Sequence, residues 1–249
     1  MRMLLILDHP YTIESAANVP HRRSFSAALA DAVISGAQAG GHEVDLIDLA
    51  ADGFNPVMSR ADLVAWRQAQ VIDPVVADYQ RRLFEAEHLV FVFPVWWETM
   101  PAGTKGFLDR VLTKGVVFDE LPGAKGNPFR NRLTRLAAVS VLSVMTTPHK
   151  AYRWWYGNPL TKVIFKGTFG KIGVKNLNWQ NYASITDKSP EERQRLLDDT
   201  HNRFATMTTR TRRRTRFFDD RAVLLSEFSG GSLVQQPPRA SASRAHPDT

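Results

Sequence analysis

LVFVFPVWWETMPA, residues 89–102, decides the fold. Leu89 to Phe93 is a run of apolar residues without alternation, the pattern of a strand buried on both faces. Pro101 marks a helix start, and Phe107, Leu108, Val111 and Leu112 continue an apolar stripe at helical spacing. A short loop with two adjacent tryptophans joins the strand to the helix. Strand, loop and helix in that order are the repeating unit of a parallel sheet.

The same unit recurs on either side. Met3 to Leu7 is a second continuous apolar run, followed by a loop from Asp8 to about His21. Ser24 to Ala39 has helical spacing, with Phe25, Leu29, Ala32 and Val33 on one face and Gly40-Gly41 as its stop. Val44 to Leu49 alternates apolar and acidic residues, which predicts a strand nearer an edge. Val75 to Ala86 reads as a helix, Leu136 to Val144 and Leu177 to Ile185 as strands, and Pro190 to about Met207 as the last helix. These pieces predict an α/β fold, a doubly wound five-stranded parallel sheet of order 2-1-3-4-5 with helices on both faces. A ligand is expected at the carboxyl ends of strands one, three and four. Ala50 to Asp73 and Thr113 to Arg135 read as long non-helical insertions, of the kind that serve a site or an interface.

Composition sets limits. The chain has 249 residues, 43% of them hydrophobic, enough for one core of roughly 200 residues. It has no cysteine, which excludes disulfides, thiolate catalysis and cysteine-ligated metals. The seven histidines show no metal-binding spacing, so no metal site is expected. The opening apolar run ends at Asp8, too short for a secretory core, and no stretch approaches the ~20 apolar residues that cross a bilayer. A soluble, cytoplasmic protein without an integral membrane segment is expected. The net charge is +7, but residues 201–249 hold nine arginines against four acidic residues. The basic balance is mainly a property of that end, and no nucleic-acid partner is expected from it. Residues 1–209 are expected to form the ligand-binding domain, and residues 210–249 a basic, largely disordered tail.

Three constellations stand at expected strand ends. Asp8-His9-Pro10 and Arg23-Ser24-Phe25-Ser26 flank the loop into the first helix, where free N–H groups and the helix dipole favour a phosphate. His9 could bond a phosphate oxygen; equally, Ser24 is a plain N-cap and His9 a polar loop residue. Pro94, Val95, Trp96 and Trp97 follow the quoted strand. Two adjacent tryptophans cannot both face one core from a loop, so at least one meets a ligand, or packs under a neighbouring loop. Thr146 and Thr147 end the next strand, where they reach a ligand or cap the strand.

The segment FPVWWETMPAGTKGFLDRVLTKGVVF, with FNPVMSRAD (Phe54 to Asp62) and SFSAAL (Ser24 to Leu29), resembles the NAD(P)H:quinone oxidoreductases of the flavodoxin-like superfamily. The resemblance runs from about Leu4 to Phe204. It implies a flavodoxin-like fold with bound FAD or FMN and NAD(P)H as hydride donor. A quinone or similar small acceptor would be reduced by a ping-pong mechanism. It also implies a homodimer with each flavin at the subunit interface. Carried over by position, His9, Arg23, Ser24, Phe25 and Ser26 would hold the flavin's phosphate arm. Pro94, Val95, Trp96 and Trp97 would line its ring, and Thr146 and Thr147 would touch the ring's other end. There are departures. The loop from His9 to Arg23 is long, and Pro148-His149 stands where the family has Gly-Gly. The family's substrate-polarising His and Tyr are represented by His149 and Tyr152 as the nearest candidates. Trp154, Trp155 and Tyr156 read as an aromatic lid or as packing against a helix or a second subunit. The alternative function is a non-enzymatic flavodoxin-like electron carrier, or an ancillary regulatory subunit of a potassium-efflux system.

Overall fold

The computed structural model describes residues 1–18 and 23–208. Its main sheet has five parallel strands: β1 (Arg2–Leu7), β2 (Glu43–Asp48), β3 (His88–Pro94), β6 (Ala138–Val144) and β7 (Asn176–Tyr182). They lie in the order β2-β1-β3-β6-β7, the doubly wound order expected. The unalternating runs explain themselves in β1. Met3, Leu5 and Leu7 point into one core with helix α1 (Phe25–Ala39) and helix α5 (Pro190–Ala205). Leu4 and Ile6 point into the other, with helix α3 (Pro74–Glu85) and helix α4 (Ala102–Val111). A strand covered on both faces needs apolar side chains at every position.

Both insertions carry structure that the sequence reading left out. Residues 50–73 contain helix α2 (Arg60–Arg67), closed at its start by a capping box between Ser59 and Asp62. Residues 113–135 contain an antiparallel pair, β4 (Phe118–Glu120) and β5 (Phe129–Asn131). Their apolar residues divide. Val117 is fully buried and Val116 and Phe118 pack on the core, whereas Val57, Leu63 and Leu121 are exposed. Two further helical turns, Ala151–Trp155 and Thr161–Gly170, are π-helical. Their wide period hides them from a search at 3.6 residues per turn. The last strand ends at Tyr182 rather than Ile185, because Ser184 turns the chain at φ +50°. The expected basic tail, residues 210–249, lies outside the described residues. Among the described residues no helix is long and apolar enough to cross a membrane.

Helix α4 is drawn against two neighbours through glycines. A Cβ on Gly106 would lie 2.4 Å from Pro56, and one on Gly103 would lie 2.6 Å from the Asp8 carboxylate. The FNPVMSRAD loop is thereby seated on the helix that follows the tryptophan pair. Phe54 is buried beneath the Arg110 guanidinium, 5.5 Å from its ring centre. The Asn55 side chain accepts the Val57 N–H at 3.0 Å, and the Asn55 carbonyl accepts from Arg110 at 2.5 Å.

Candidate functional site

The carboxyl ends of β1, β3 and β6 open side by side, and the expected site residues gather along them in two groups. The first surrounds the start of α1. Ser24 is the N-cap: its Oγ accepts the Ala27 N–H at 3.0 Å. With Ala27 satisfied, the N–H groups of Phe25 and Ser26 remain outside the intrahelical ladder, available to an anion. Phe25 itself is buried, edge-on to Tyr182 at 6.0 Å, so it can meet a ligand only through its backbone. Ser26 is buried and Arg23 exposed at the helix mouth. His9 is half-buried and its Nδ1 accepts the Tyr11 N–H at 3.0 Å. Burial pushes its pKa below the usual histidine value. A neutral ring with Nδ1 occupied carries its proton on Nε2, a donor for an incoming oxygen.

Asp8 has a role the sequence did not reveal. Helix α4 has Pro101 at its N-cap, a residue with no side-chain acceptor to offer. The Asp8 carboxylate reaches across from β1 and accepts both the Thr104 N–H and, at 2.7 Å, its hydroxyl. It caps α4 from another element, and burial pushes its own pKa upward against those bonds. The crevice floor is therefore tied to β1.

The second group is built on a turn. Trp96 and Thr99 exchange N–H···O bonds of 3.0 and 3.1 Å. The two residues between them, Trp97 and Glu98, have φ of +49° and +60°. This is a two-residue hairpin of the type that usually demands Asn-Gly at its tip. Bulky residues in left-handed backbone cost on the order of 1 kcal/mol or more each and persist only where surroundings fix them. Here Thr147 Oγ1 donates to the Glu98 carboxylate at 2.9 Å, and Tyr152 OH donates to the Glu98 carbonyl at 3.0 Å. The other Glu98 carboxylate oxygen is buried without a protein partner. Trp97 stands 98% exposed at the tip. Val95 anchors the hairpin's base through its N–H to the Val144 carbonyl at 2.7 Å, and Pro94 pairs with Val144. Trp96 is exposed beside them.

Of the two candidates for substrate polarisation, only His149 is accessible. It is exposed, its Nδ1 receives Asn181 Nδ2 at 3.1 Å, and its ring lies 5.5 Å from that of Trp179. Tyr152 is fully buried. Its oxygen also accepts the Leu160 N–H at 3.1 Å, and burial raises its pKa to about 12. With both bonds inside the protein, Tyr152 serves as a brace for the hairpin tip rather than facing a substrate. Thr146 is exposed and Thr147 half-buried at the end of β6. Glu98 escaped the sequence reading because nothing in its spelling signals positive φ.

Residues 1–207 match the Flavodoxin_2 family model, described as a flavodoxin-like fold. The chain is 26% identical over 225 residues to an NAD(P)H dehydrogenase (quinone) 1 of Rattus norvegicus, covering 83% of this chain and 77% of the relative. Among solved structures it is similar to an NAD(P)H:quinone oxidoreductase from Methanothermobacter marburgensis. There the TM-score is 0.68 at 20% identity, covering 83% of this chain and 98% of the other. It is also similar to an FMN-dependent NADH-azoreductase of Bacillus anthracis solved with FMN. That match has a TM-score of 0.64 at 15% identity, covering 82% and 98%.

Proposed function

The chain belongs to this flavodoxin-like family, and from that premise we propose that it is an NAD(P)H oxidoreductase that uses a bound flavin to reduce a quinone or similar small acceptor. One observation carries the reading: an anion-ready helix start and an exposed, braced tryptophan hairpin share the carboxyl edge of one sheet. The residues present suit an anionic arm joined to a flat ring. The Phe25 and Ser26 N–H groups, Arg23, the Ser24 hydroxyl and His9 Nε2 hold the phosphate end. Pro94, Val95, Trp96 and Trp97 line the ring, and Thr146 and Thr147 take its far edge. The N–H groups of Trp97 and Glu98, outside the hairpin's own bonds, are donors for the electron-rich edge of the ring. The buried free oxygen of Glu98 suits an N–H donor there. A flavin supplies the acceptance and release of hydride, and the protein supplies its position. His149 is the accessible group that would polarise the acceptor. NAD(P)H and acceptor use the same crevice in turn, which gives ping-pong kinetics and parallel double-reciprocal plots.

Purified protein is expected to bind FMN or FAD at micromolar concentration and to show the oxidised-flavin absorbance. Titration with each flavin, followed by fluorescence, distinguishes the two. Binding of neither would overturn the reading. Trp97→Ala is expected to weaken flavin affinity about tenfold, the size of an aromatic stacking contact. Trp66→Ala, in α2, should change it less than about twofold by the same measure. Equal losses in the two titrations would remove Trp97 from the ring wall. The protein is also proposed to be a homodimer through residues 50–73, where Val57, Leu63, Val64 and Ile72 are exposed. Light scattering is expected to give twice the mass of one chain; a single-chain mass at all concentrations would refute it.

A further inference from the structure

Residues 149–175 contain six basic side chains (Lys150, Arg153, Lys162, Lys166, Lys171 and Lys175) and no acidic one. The first 208 residues together carry +3, so everything outside this segment within them sums to −3. The net positive charge of residues 1–208 thus resides in this segment. All six cations are exposed. The two π-helical turns explain why they project outward: Ile164, Phe165 and Phe169 face the core, which leaves Lys162, Val163 and Lys166 on the outer side. Lys162 reaches back against Gly157. The turn there carries Trp154 and Trp155, 78% and 85% exposed, with Tyr156 exposed beside them. Arg153 lies over the Trp154 ring at 5.5 Å. The nearby acids are engaged: Asp109 with Lys105 at 2.5 Å, and Glu120 with Lys114 at 2.6 Å.

We infer that this face, Lys150 to Lys166 with Trp154 and Trp155 at its tip, docks on the surface of an anionic lipid bilayer. Tryptophan and tyrosine are the side chains that settle at the headgroup level, with one apolar body and one polar atom each. Flanking cations add electrostatic attraction to anionic headgroups. A nucleic-acid strand would call for a groove in which bases stack between cations that track a backbone. Here Trp154 and Trp155 protrude, 78% and 85% exposed, rather than lining a groove. If the chain is the reductase proposed above, the surface adjoins its crevice through Tyr152 and opens it toward acceptors dissolved in lipid. The inference itself requires neither flavin nor turnover.

The test is co-sedimentation of the full-length protein with vesicles of phosphatidylcholine alone or mixed with phosphatidylserine, together with tryptophan emission. Binding is expected only with phosphatidylserine present, with a blue shift, and is expected to fall as salt is added. Each cation near such a surface contributes about fivefold, so Lys162→Ala/Lys166→Ala should bind about 25-fold more weakly. Lys162→Arg/Lys166→Arg should bind like the parent, which separates charge from folding. Trp154→Ser/Trp155→Ser should lose the blue shift. The inference is overturned if phosphatidylserine vesicles bind no protein, or if the alanine pair binds as the parent does. It also falls if duplex DNA is preferred to vesicles at the same salt. A dimer that splits when Trp154 and Trp155 are replaced would assign the face to a second copy instead.

Discussion

Arg110→Ala is expected to lower folding stability by about 3–5 kcal/mol, the cost of removing one member of a buried ion cluster. The Arg110 side chain is only 5% exposed. Its guanidinium donates to Asp73 at 2.7 Å, to Asp62 at 3.3 Å and to the Asn55 carbonyl at 2.5 Å. Asp73 caps α3, Asp62 belongs to the capping box of α2, and Asn55 sits in the loop between β2 and α2. One side chain of α4 therefore ties down the whole insertion from 54 to 73. Truncation leaves two carboxylates and a carbonyl facing the gap. Arg110→Lys would keep the charge but lose the forked geometry, and should recover only part of the loss. Urea unfolding of the three proteins is the measurement. A loss for the alanine variant below about 1 kcal/mol, an ordinary value for a substitution without a special mechanism, would show that the insertion holds without the cluster.

The second large effect concerns pH. His88 opens β3 at the end of the sheet away from the crevice, 3% exposed, bonded to Ser140 Oγ at 2.8 Å and stacked near Phe204. Burial, assisted by the charge of Arg203 and by His42, lowers its pKa to about 4 from 6.5. A histidine whose folded pKa is depressed is most stabilising when neutral. The unfolded chain takes up a proton that the folded one refuses, so stability falls as pH drops from 6.5 to about 4 and levels off below. At 1.36 kcal/mol per unit the loss is about 3 kcal/mol. His88→Gln keeps a hydrogen-bonding group without the titration. Since carboxylates titrate in the same range, the difference between parent and variant is the quantity to follow. If the two lose stability in parallel across that window, His88 is not the group responsible.

Much of the fold could be read in advance because burial on both faces leaves an unmistakable mark. Met3 to Leu7 and Leu89 to Phe93 allow no polar position, and each runs directly into a turn. Ser24 announced α1 because a capping serine before an apolar stripe has few other readings. Helix α2 stayed hidden because Leu63 and Val64 face outward, so its apolar residues do not form the inward stripe by which helices are recognised. The strands β4 and β5 are three residues each, below the length at which alternation means anything. At the site, the sequence located the loops but not the orientations. Tyr152 reads as a polar group beside a crevice, yet its ring is buried against Trp179 and its oxygen is committed twice. Trp97-Glu98 reads as bulk and charge, and only the backbone angles reveal a left-handed tip.

That tip also orders events in time. The residues that brace it, Thr147 and Tyr152, follow Glu98 by 49 and 54 positions along the chain. During synthesis the tryptophan loop emerges first and has nothing to hold it in a conformation it would not choose alone. β1, β2 and β3 can pair while the loop remains slack, and the hairpin closes only after β6 and the turns beyond it arrive. The tryptophan side of the crevice thus takes its shape only once β6 and the turn beyond it are in place. Amide exchange on nascent chains of increasing length should find the Trp96 N–H unprotected in chains that end before Thr147 and protected once Tyr152 has emerged.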